Sequence, residues 1–456
     1  MAERKLMKGN EAIAEAAIRG GCRFYAGYPI TPQNEIPEYM SWRLPQVGGH
    51  FIQAESEIAA INMVYGSAGA GGRAMTSSSS PGVSLKQEGI SYICGAELPC
   101  VIINMVRSGP GLGGIQPAQG DYFQAVKGGG HGDYKMLVYG PCSVQECVDL
   151  VYNAFDKAER YRLPVMILGD GMLGQIMEAV TLPEMKDLAT FPKKPWATTG
   201  EGFGKTRRII NSLYIVPDEL EDMNHKLQKV YDDMCANETM FEDYLTEDAE
   251  VIITAYGTVA RIAKSAVDIL RAKGVKAGLF RPVTLYPFPK DALDKLAAAP
   301  SVKEFVAVEL SMGQYVEDVK LVVEGRKPVR FFNRTGGNVM APEDIVEFVY
   351  DTVYQAGGNP CPPLVIGVGL GGSFDYAAVL AKKALAREVG VHNERYRELE
   401  ERILRRVNES GVGPSGLGGD TTALWAAVEA YPTHIAGLPV AVNISCHATR
   451  HAEKII

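Results

Sequence analysis

Short apolar segments alternate with longer helical segments over roughly the first 190 residues, and loops rich in Gly and Pro separate them. The clearest strand candidates are residues 74–77, 100–106, 136–139 and 165–168, and the clearest helix candidates are 57–68, 83–94 and 144–161. Short apolar strands joined by helices are typical of a parallel sheet covered on both faces. The sequence therefore predicts a doubly wound α/β domain over residues 1–190.

The remaining chain divides into three further segments. Residues 191–247 hold a Pro- and Gly-containing stretch and then an acidic segment, 213–245, that we predict to be helical, so they are interpreted as a connecting arm. Strands and helices alternate again over 248–356, which predicts a second α/β domain. Residues 357–456 start again with a strand, a glycine loop and a long helix, and predict a third α/β module.

Charge and hydropathy exclude two classes of protein. The chain has 46 Lys and Arg against 54 Asp and Glu, a net charge of -8, whereas a dedicated nucleic-acid binder needs a basic surface. We find no signal-peptide pattern and no apolar stretch long enough to cross a bilayer, so we expect a cytoplasmic protein that binds neither nucleic acid nor membrane.

A stiff loop, Tyr28-Pro29-Ile30-Thr31-Pro32, follows the first strand of the first domain. Ligands bind at the carboxyl ends of strands in open parallel sheets, and Thr31 offers a hydroxyl there. A rigid turn without a ligand is the alternative interpretation.

Two further loops at the same predicted edge carry polar groups. Glu55-Ser56-Glu57 opens a helix, where carboxylates are favoured by the helix dipole even without a ligand. Residues 76–82, with Ser79 and Gly82, join a strand to a helix, and their backbone N–H groups could hold an anion or a polar ring.

Arg107 ends another strand and precedes a run of small residues, 108–114. An arginine in that position suits bidentate binding of a carboxylate. Gly120-Asp121 belongs to a further loop of glycines and polar residues. Together these loops place an acid, a hydroxyl and an arginine at one edge of one sheet.

The motifs over residues 4–356 resemble a known family. They are YPITPQNEIPEYM, ESEIAAINMVYGSAGAGGRAMTSSSSPG, SGPGLGG, QPAQGDYFQAVKGGGHGDY, RPVTLYPFP and FNRTGGNV. They resemble the α-type subunit of 2-oxoacid:ferredoxin oxidoreductases that act on 3-methyl-2-oxobutanoate or 2-oxoglutarate. The resemblance implies a transketolase-like fold with a pyrimidine-binding domain and a C-terminal Rossmann-like domain.

The same resemblance implies chemistry and site residues. The activity would be oxidative decarboxylation of a 2-oxo acid to an acyl-CoA, with thiamine diphosphate as cofactor and electrons passing to ferredoxin. Glu57 would contact the aminopyrimidine ring, and Thr31 and Arg107 would hold the 2-oxo acid. The other residues implied in cofactor binding are Tyr28, Pro29, Ser79, Gly82, Gly120 and Asp121.

Partner subunits follow from what the chain lacks relative to the family. Gly169-Asp170-Gly171 imitates the diphosphate and Mg²⁺ motif of thiamine enzymes, but the Asn pair that completes the motif is replaced by FPKKPWATTG. The resemblance therefore implies a β subunit that carries the diphosphate, the Mg²⁺ and an iron–sulfur cluster. A ferredoxin-like subunit, coenzyme A and ferredoxin complete the expected partners of a hetero-oligomer.

The tail shows a second resemblance. Its glycine loop, 364–372, imitates a dinucleotide-binding fingerprint, so NAD binding is one reading. However, CPPLVIGVGLGGSFDYAAVLAKKAL, GVGPSGLGGDTTAL and YPTHIAGLPVAVNISCHATRHA resemble the C-terminal part of the α region of class I iron–sulfur fumarases and tartrate dehydratases, over residues 360–456.

That second resemblance implies two ligands of a [4Fe–4S] cluster, Cys361 and Cys446, and a substrate-binding histidine, His434. The upstream part of the family's α region, which carries the first cluster cysteine, has no counterpart in this chain, so the ligand set is incomplete. Three interpretations stay open: a remnant fused to an oxidoreductase subunit, a lyase module completed by another chain, and a non-catalytic scaffold that docks two enzymes.

Overall fold

The computed structural model of the chain describes residues 3–200, 207–272, 276–338, 363–414, 417–433 and 438–446. The chain divides into two units, Met1–Gly337 and Asn338–Ile456. The boundary predicted between 356 and 357 falls outside the described residues and stays a prediction.

The first unit contains fourteen described strands. They are β1 (Glu3–Lys8), β2 (Phe24–Gly27), β3 (His50–Gln53), β4 (Ala74–Ser78), β5 (Cys100–Val106), β6 (Leu137–Tyr139), β7 (Pro164–Asp170), β8 (Met177–Leu182), β9 (Phe241–Tyr244), β10 (Val251–Thr254), β11 (Ala277–Pro282), β12 (Thr284–Tyr286), β13 (Glu304–Glu309) and β14 (Val329–Asn333). Its described α-helices are α1 (Gly9–Arg19), α2 (Glu35–Gln46), α3 (Glu57–Gly69), α4 (Pro81–Gly95), α5 (Tyr122–Val126), α6 (Val144–Tyr161), α7 (Gly171–Gln175), α8 (Pro217–Asn237), α9 (Gly257–Ala272), α10 (Lys290–Ala298) and α11 (Tyr315–Val323).

A seven-stranded sheet forms the centre of the first unit, in the order β12-β6-β7-β5-β4-β2-β3. All its neighbouring strands are parallel except β12, which pairs antiparallel with β6 at the edge. Every residue of β5 is buried, as expected for a strand covered by helices on both faces. The predicted α/β class is thereby confirmed.

A five-stranded sheet follows, in the order β14-β13-β10-β11-β9. β14, β13, β10 and β11 are parallel, and β9 pairs antiparallel with β11 at the edge.

The predicted helix over 213–245 is wrong at both ends, because α8 begins at Pro217 and ends at Asn237. Proline is favoured at the first position of a helix, which explains the start. Beyond the end of α8 the chain forms the strand β9, in which the Glu242 carboxylate pairs with the Arg281 guanidinium at 2.9 Å.

The two sheets share one hydrophobic core. It runs from Ile13 on α1 and Val101 in the first sheet to Phe280 and Phe305 in the second, all essentially inaccessible to solvent. The edge strand β12 comes from the chain between β11 and α10, so the two α/β domains are interwoven and not simply consecutive.

The second unit contains a three-stranded sheet in the order β16-β15-β17. Its strands are β15 (Leu364–Gly371), β16 (Ala423–Tyr431) and β17 (Val440–Cys446), and its described helices are α12 (Phe374–Leu385) and α13 (Arg397–Asn408). β15 is parallel to β16 and antiparallel to β17. Leu364, Ile366, Ile403 and Val428 form its core, so the tail is folded as an α/β module.

Within the described part of the chain, no helix combines the length and the apolar character that a membrane span requires.

Candidate active site

The site is formed where β2, β4 and β5 end at one edge of the seven-stranded sheet. The three strands are parallel neighbours, so the loops that follow them lie side by side. The first loop contains Thr31, the second Ser79 and the third Arg107. The structure thus brings these three predicted residues to the same edge.

Glu57 is the first residue of α3 and is only 6% exposed. The preceding residue, Ser56, caps the helix by accepting a hydrogen bond from Ala59 N at 3.1 Å, so the Glu57 carboxylate is free of that task. It lies against Gly82, where an added Cβ would be 2.5 Å from Glu57 Oε1 and 2.1 Å from Ser78 Oγ. Only glycine fits there, and the buried hydroxyl of Ser78 has no hydrogen-bond partner.

Ser80 joins the loop after β4 to the loop after β5. Its backbone lies at φ 24° and ψ -82°, a strained conformation for a serine. Its N–H donates to Asn104 Oδ1 at 3.1 Å, and its hydroxyl accepts from Arg107 N at 3.0 Å. These bonds fix the first turn of α4 relative to the end of β5.

The Arg107 guanidinium is buried and reaches across to the loop after β2. Nη1 donates to the backbone carbonyl of Thr31 and Nη2 to that of Leu112, both at 3.0 Å. Nε is buried without a hydrogen-bond partner. Burial lowers the pKa of Arg107, and the negative charges of Asp121 and Glu57 oppose that shift. The guanidinium therefore has unused donors close to the acid of the site.

Asp121 accepts from Asn104 Nδ2 at 2.9 Å, which ties it to β5. Burial raises the pKa of Asp121, opposed by hydrogen bonds from Ser80 and Asn104 and by the charge of Arg107. The neighbouring carbonyl of Gly120 accepts from Gln314 Nε2 at 2.6 Å, which ties the loop to the second sheet.

A cleft of about 610 Å³ opens between the two sheets at this edge. Ser80, Arg107, Gly120 and Asp121 line it, and Met312 stands at its second-sheet wall. The described lining includes neither the buried Glu57 nor the partly exposed Thr31. The cleft is large enough for a small organic acid.

Gln33 fixes the loop that follows β2. Ser77 Oγ donates to Gln33 Oε1 at 2.5 Å, and Gln33 Nε2 donates to Tyr28 O at 3.4 Å. The Tyr28 side chain is 38% exposed and Pro29 is exposed as well, so both lie at the outer face of the loop.

Ser79 occupies the buried loop between β4 and α4. Its hydroxyl has no hydrogen-bond partner, and the same is true of the adjacent Ser78 and of Ser108 in the loop after β5. Buried hydroxyls without partners are uncommon in folded proteins. They are the groups that a polar ligand would satisfy.

Asp170 has a structural task. Its Oδ1 accepts from the backbone N–H groups of Met172 and Leu173 at 2.9 and 3.0 Å and so caps α7. Burial raises the pKa of its carboxyl. This agrees with the view that Gly169-Asp170-Gly171 only imitates a metal motif.

The predicted tail residues are placed as follows. Cys361 and His434 lie outside the described residues. Cys446 is the last residue of β17, opposite Leu364, and its side chain is outside what the structure describes. The described residues contain no group of three or more His, Cys, Asp or Glu side chains that could hold a metal ion.

Two residues of the site were missed by the sequence interpretation. Asn104 is the one polar residue in the buried strand CVIINMV, which is itself a signal. Lys86 lies on the buried face of α4 with Val83 and Ile90, as helical periodicity implies, although a lysine is rarely found fully buried.

Comparison with known proteins identifies relatives of both units. Residues 15–242 match the family model described as "Pyruvate flavodoxin/ferredoxin oxidoreductase, thiamine diP-bdg", and 249–345 match "Pyruvate:ferredoxin oxidoreductase core domain II". Residues 332–454 match "Fumarate hydratase (Fumerase)". The last two matches overlap at 332–345.

Three proteins illustrate these similarities. The ketoisovalerate oxidoreductase subunit VorB of Methanothermobacter marburgensis is 49% identical over 342 residues, 75% of this chain and 96% of that protein. The 2-oxoglutarate:ferredoxin oxidoreductase from Magnetococcus marinus, solved with 2-oxoglutarate, coenzyme A and succinyl-CoA bound, aligns with a TM-score of 0.68 at 28% identity. That alignment covers 77% of this chain and 65% of the other. The putative L(+)-tartrate dehydratase subunit alpha of Methanocaldococcus jannaschii is 44% identical over 133 residues, 27% of this chain and 46% of that protein.

Proposed function

Because this chain belongs to the 2-oxoacid:ferredoxin oxidoreductase family, we propose that its site binds thiamine diphosphate together with a branched-chain 2-oxo acid. Both resemblances predicted from sequence motifs, to these oxidoreductase subunits and to the fumarase and tartrate dehydratase group, are confirmed. The chain is a subunit of an oxidoreductase assembled from several subunits.

The observation that carries the proposal is the buried space around Glu57. A carboxylate, a glycine that admits nothing larger, and the unpartnered hydroxyls of Ser78 and Ser79 meet at the carboxyl end of β4. These groups suit an aminopyrimidine ring, which presents hydrogen-bonding nitrogens in one plane. The residues present therefore fit the pyrimidine half of thiamine diphosphate.

Glu57 is proposed to share a proton with the ring nitrogen of the aminopyrimidine. When bound, thiamine diphosphate supplies the carbon nucleophile and the electron sink for decarboxylation. Glu57 holds its proton at a fixed place because α3 and the first turn of α4 confine its carboxylate from two sides. Burial of the carboxylate keeps water away from that proton.

Arg107 and Thr31 are proposed to orient the 2-oxo acid. The unpartnered Nε of Arg107 and the second hydrogens of its Nη atoms are donors for a substrate carboxylate at the rim of the cleft. Gly120 and Asp121 form the neighbouring rim. Arg107 donates a hydrogen bond to the backbone carbonyl of Thr31, which holds the two residues in a fixed relative position.

The identity of the substrate rests on the chain's relatives. The 49% identity to a ketoisovalerate oxidoreductase subunit, over nearly that protein's whole length, favours 3-methyl-2-oxobutanoate. The runner-up is 2-oxoglutarate, the compound named for the structural relative, which is less similar at 28% identity. The product would be the corresponding acyl-CoA, with electrons passing to ferredoxin.

The rest of the catalytic unit is proposed to lie in partner chains. Asp170 is committed to capping α7, and the Asn pair of the thiamine motif is missing. We assign the diphosphate and Mg²⁺ site to a β subunit, and the electron path to clusters in that subunit and in a ferredoxin-like subunit.

The experiment is Glu57→Gln in the complex reconstituted with its partner subunits. Oxidation of 3-methyl-2-oxobutanoate, dependent on coenzyme A and followed by ferredoxin reduction, should fall by about 100-fold or more. Glu55→Gln is the matched control, because Glu55 is an exposed acid two residues away. Equal activity in the Glu57 variant and in the wild type would overturn the proposal. Measuring the wild-type activity with 2-oxoglutarate in the same assay decides between the two substrates.

The tail has a separate candidate function, a hydratase-type lyase activity, which its family match and its tartrate dehydratase relative favour. The test is anaerobic iron reconstitution of the full chain, followed by iron counting and by alkylation of Cys361 and Cys446. Bound iron with protected thiols supports a [4Fe–4S] cluster. No iron with freely alkylated thiols supports a fused remnant, and co-purification of separate dehydratase subunits supports a docking scaffold.

A further inference from the structure

Lys86 is a fully buried lysine in the second turn of α4, with 0% of its surface exposed. Its ammonium donates to Thr76 Oγ1 at 2.6 Å and to the backbone carbonyl of Ser77 at 3.2 Å. Both acceptors are neutral. Among the described residues, no carboxylate forms an ion pair with Lys86 within 4 Å.

This environment differs from that of a buried cation paired with carboxylates. Arg73, which is also buried, forms ion pairs of 2.7 Å with Asp156 and with Glu159. Burying an ammonium without an adjacent carboxylate costs free energy of desolvation, and the group avoids that cost by giving up its proton.

Glu57 is the acid on this face of α4, because Gly82, whose added Cβ would be 2.5 Å from Glu57 Oε1, lies four residues before Lys86 on the same side of the helix. Burial lowers the pKa of Lys86 to about 7, and the charge of Glu57 is the main effect that opposes the shift. Cys100 on β5 is the other titratable group in reach, and burial raises the pKa of its thiol to about 12, so it stays neutral. Arg107 in turn lies within electrostatic reach of Glu57.

We propose that Lys86 is the counter-charge of Glu57: it carries a proton while Glu57 is ionised and releases that proton when Glu57 shares one with a bound aminopyrimidine ring. This inference rests on the proposed role of Glu57. Lys86 is a positioning residue here, because it acts through Glu57 and touches no substrate. The site gains a proton at Glu57 and loses one from Lys86, so its net charge is unchanged when the cofactor binds.

The physical reason is the low polarity around Lys86. Once Glu57 shares a proton, its negative charge no longer stabilises the ammonium, and the neutral acceptors Thr76 and Ser77 are insufficient. The pKa of Lys86 then falls further, and its proton leaves to solvent. The exchange avoids burying an uncompensated charge in either state.

The test is the pH dependence of thiamine diphosphate affinity, measured with Mg²⁺ in the reconstituted complex. In the wild type the affinity should be nearly flat below about pH 7, because one proton leaves as another enters, and should fall above it. In Lys86→Met the entering proton comes from solvent. Affinity should then fall by about tenfold per pH unit below about pH 7 as well, where the wild-type profile is flat.

Calorimetry in two buffers of different ionisation enthalpy independently measures how many protons are taken up when the cofactor binds. At about pH 6.5 the wild type should take up close to zero protons and Lys86→Met close to one. Lys186→Met is the control, because it removes a largely buried lysine that pairs with Asp156 and should leave the wild-type profile unchanged. The same flat profile in Lys86→Met would overturn the inference, while loss of activity in Glu57→Gln would still uphold the proposed function.

A second variant keeps the test available if Lys86→Met does not assemble. Thr76→Val removes the nearest acceptor of the ammonium and so disfavours its charged form. The flat region should then end at a lower pH than in the wild type. An unchanged end point in Thr76→Val would contradict the inference.

Discussion

The Glu57 carboxylate lies so close to Gly82 that a methyl group on the glycine α-carbon would be 2.5 Å from Glu57 Oε1. Glu57 begins one helix and Gly82 lies in the first turn of another, so the contact fixes the distance between α3 and α4 at the site. The position of the proposed catalytic acid therefore depends on a missing side chain.

Gly82→Ala should displace Glu57. The added methyl group would also be 2.1 Å from Ser78 Oγ, so at least one of the two polar groups must move. We expect a stability loss of about 1–3 kcal/mol from overpacking and a loss of thiamine diphosphate affinity of about tenfold or more. Thermal unfolding and cofactor titration of the complex measure the two effects.

Gly66→Ala provides the matched control for that variant. Gly66 is an exposed helical glycine in α3, and an added Cβ would meet nothing within 4 Å. Alanine there should stabilise the helix by about 0.5–1 kcal/mol and leave cofactor affinity unchanged. If both alanine variants lost affinity equally, the effect would come from α3 as a whole and not from the contact with Glu57.

Asp121→Asn should stabilise the protein in a pH-dependent way. Burial raises the pKa of Asp121 above its ordinary value of 3.8, so ionisation is harder in the folded state than in the unfolded state. The stability that this group contributes is present below the unfolded pKa and is lost as pH rises through the folded pKa. Asparagine does not ionise and keeps an oxygen for Asn104.

The unfolding midpoint of Asp121→Asn relative to the wild type should therefore rise as pH increases from about 4 to about 7. A difference that is constant over this range would mean that Asp121 ionises equally well in both states. The measurement is a series of thermal unfolding curves in buffers of equal ionic strength.

The strands of the first sheet could be predicted because burial on both faces leaves an unbroken apolar run. The predicted strand 100–106 is β5 itself, and 165–168 is the centre of β7. The edge strands β9 and β12 could not be predicted in this way. Each is short, and its place depends on pairing with a strand distant in sequence, which local composition does not encode.

The site shows the same division. Thr31 and Arg107 could be placed at one edge because parallel strands end together. That Arg107 would bond the carbonyl of Thr31 could not be foreseen, since it depends on backbone orientation in two loops. Lys86 was missed because its buried position on α4 conflicts with the expectation that lysines face solvent.

Arg107→Ala should mainly weaken binding of the 2-oxo acid. Removing the guanidinium takes away the proposed carboxylate donors, so KM should rise by roughly 10- to 100-fold while kcat changes by less than about threefold. Arg107→Lys keeps the charge but not both carbonyl bonds and should be intermediate. A fall in kcat and in thermal stability at constant KM would show instead that Arg107 only ties the two loops together.

Glu400 is buried at the centre of a hydrogen-bond network in the second unit, so Glu400→Gln should destabilise the tail selectively. This carboxylate is 1% exposed and bonds Arg387 Nη1 at 2.6 Å, His392 Nδ1 at 2.8 Å and Val428 N at 2.8 Å. Glu400→Gln keeps the shape but leaves Arg387 with only one carboxylate partner, Glu429, which should cost about 1–3 kcal/mol. Limited proteolysis of the full chain should then cleave the tail faster, while oxidoreductase activity of the complex persists.

Glu394→Gln is the control for that variant. Glu394 pairs with Arg397 at the surface, so its substitution should leave the rate of proteolysis unchanged. Equal protection in both variants would show that the tail does not depend on this buried network.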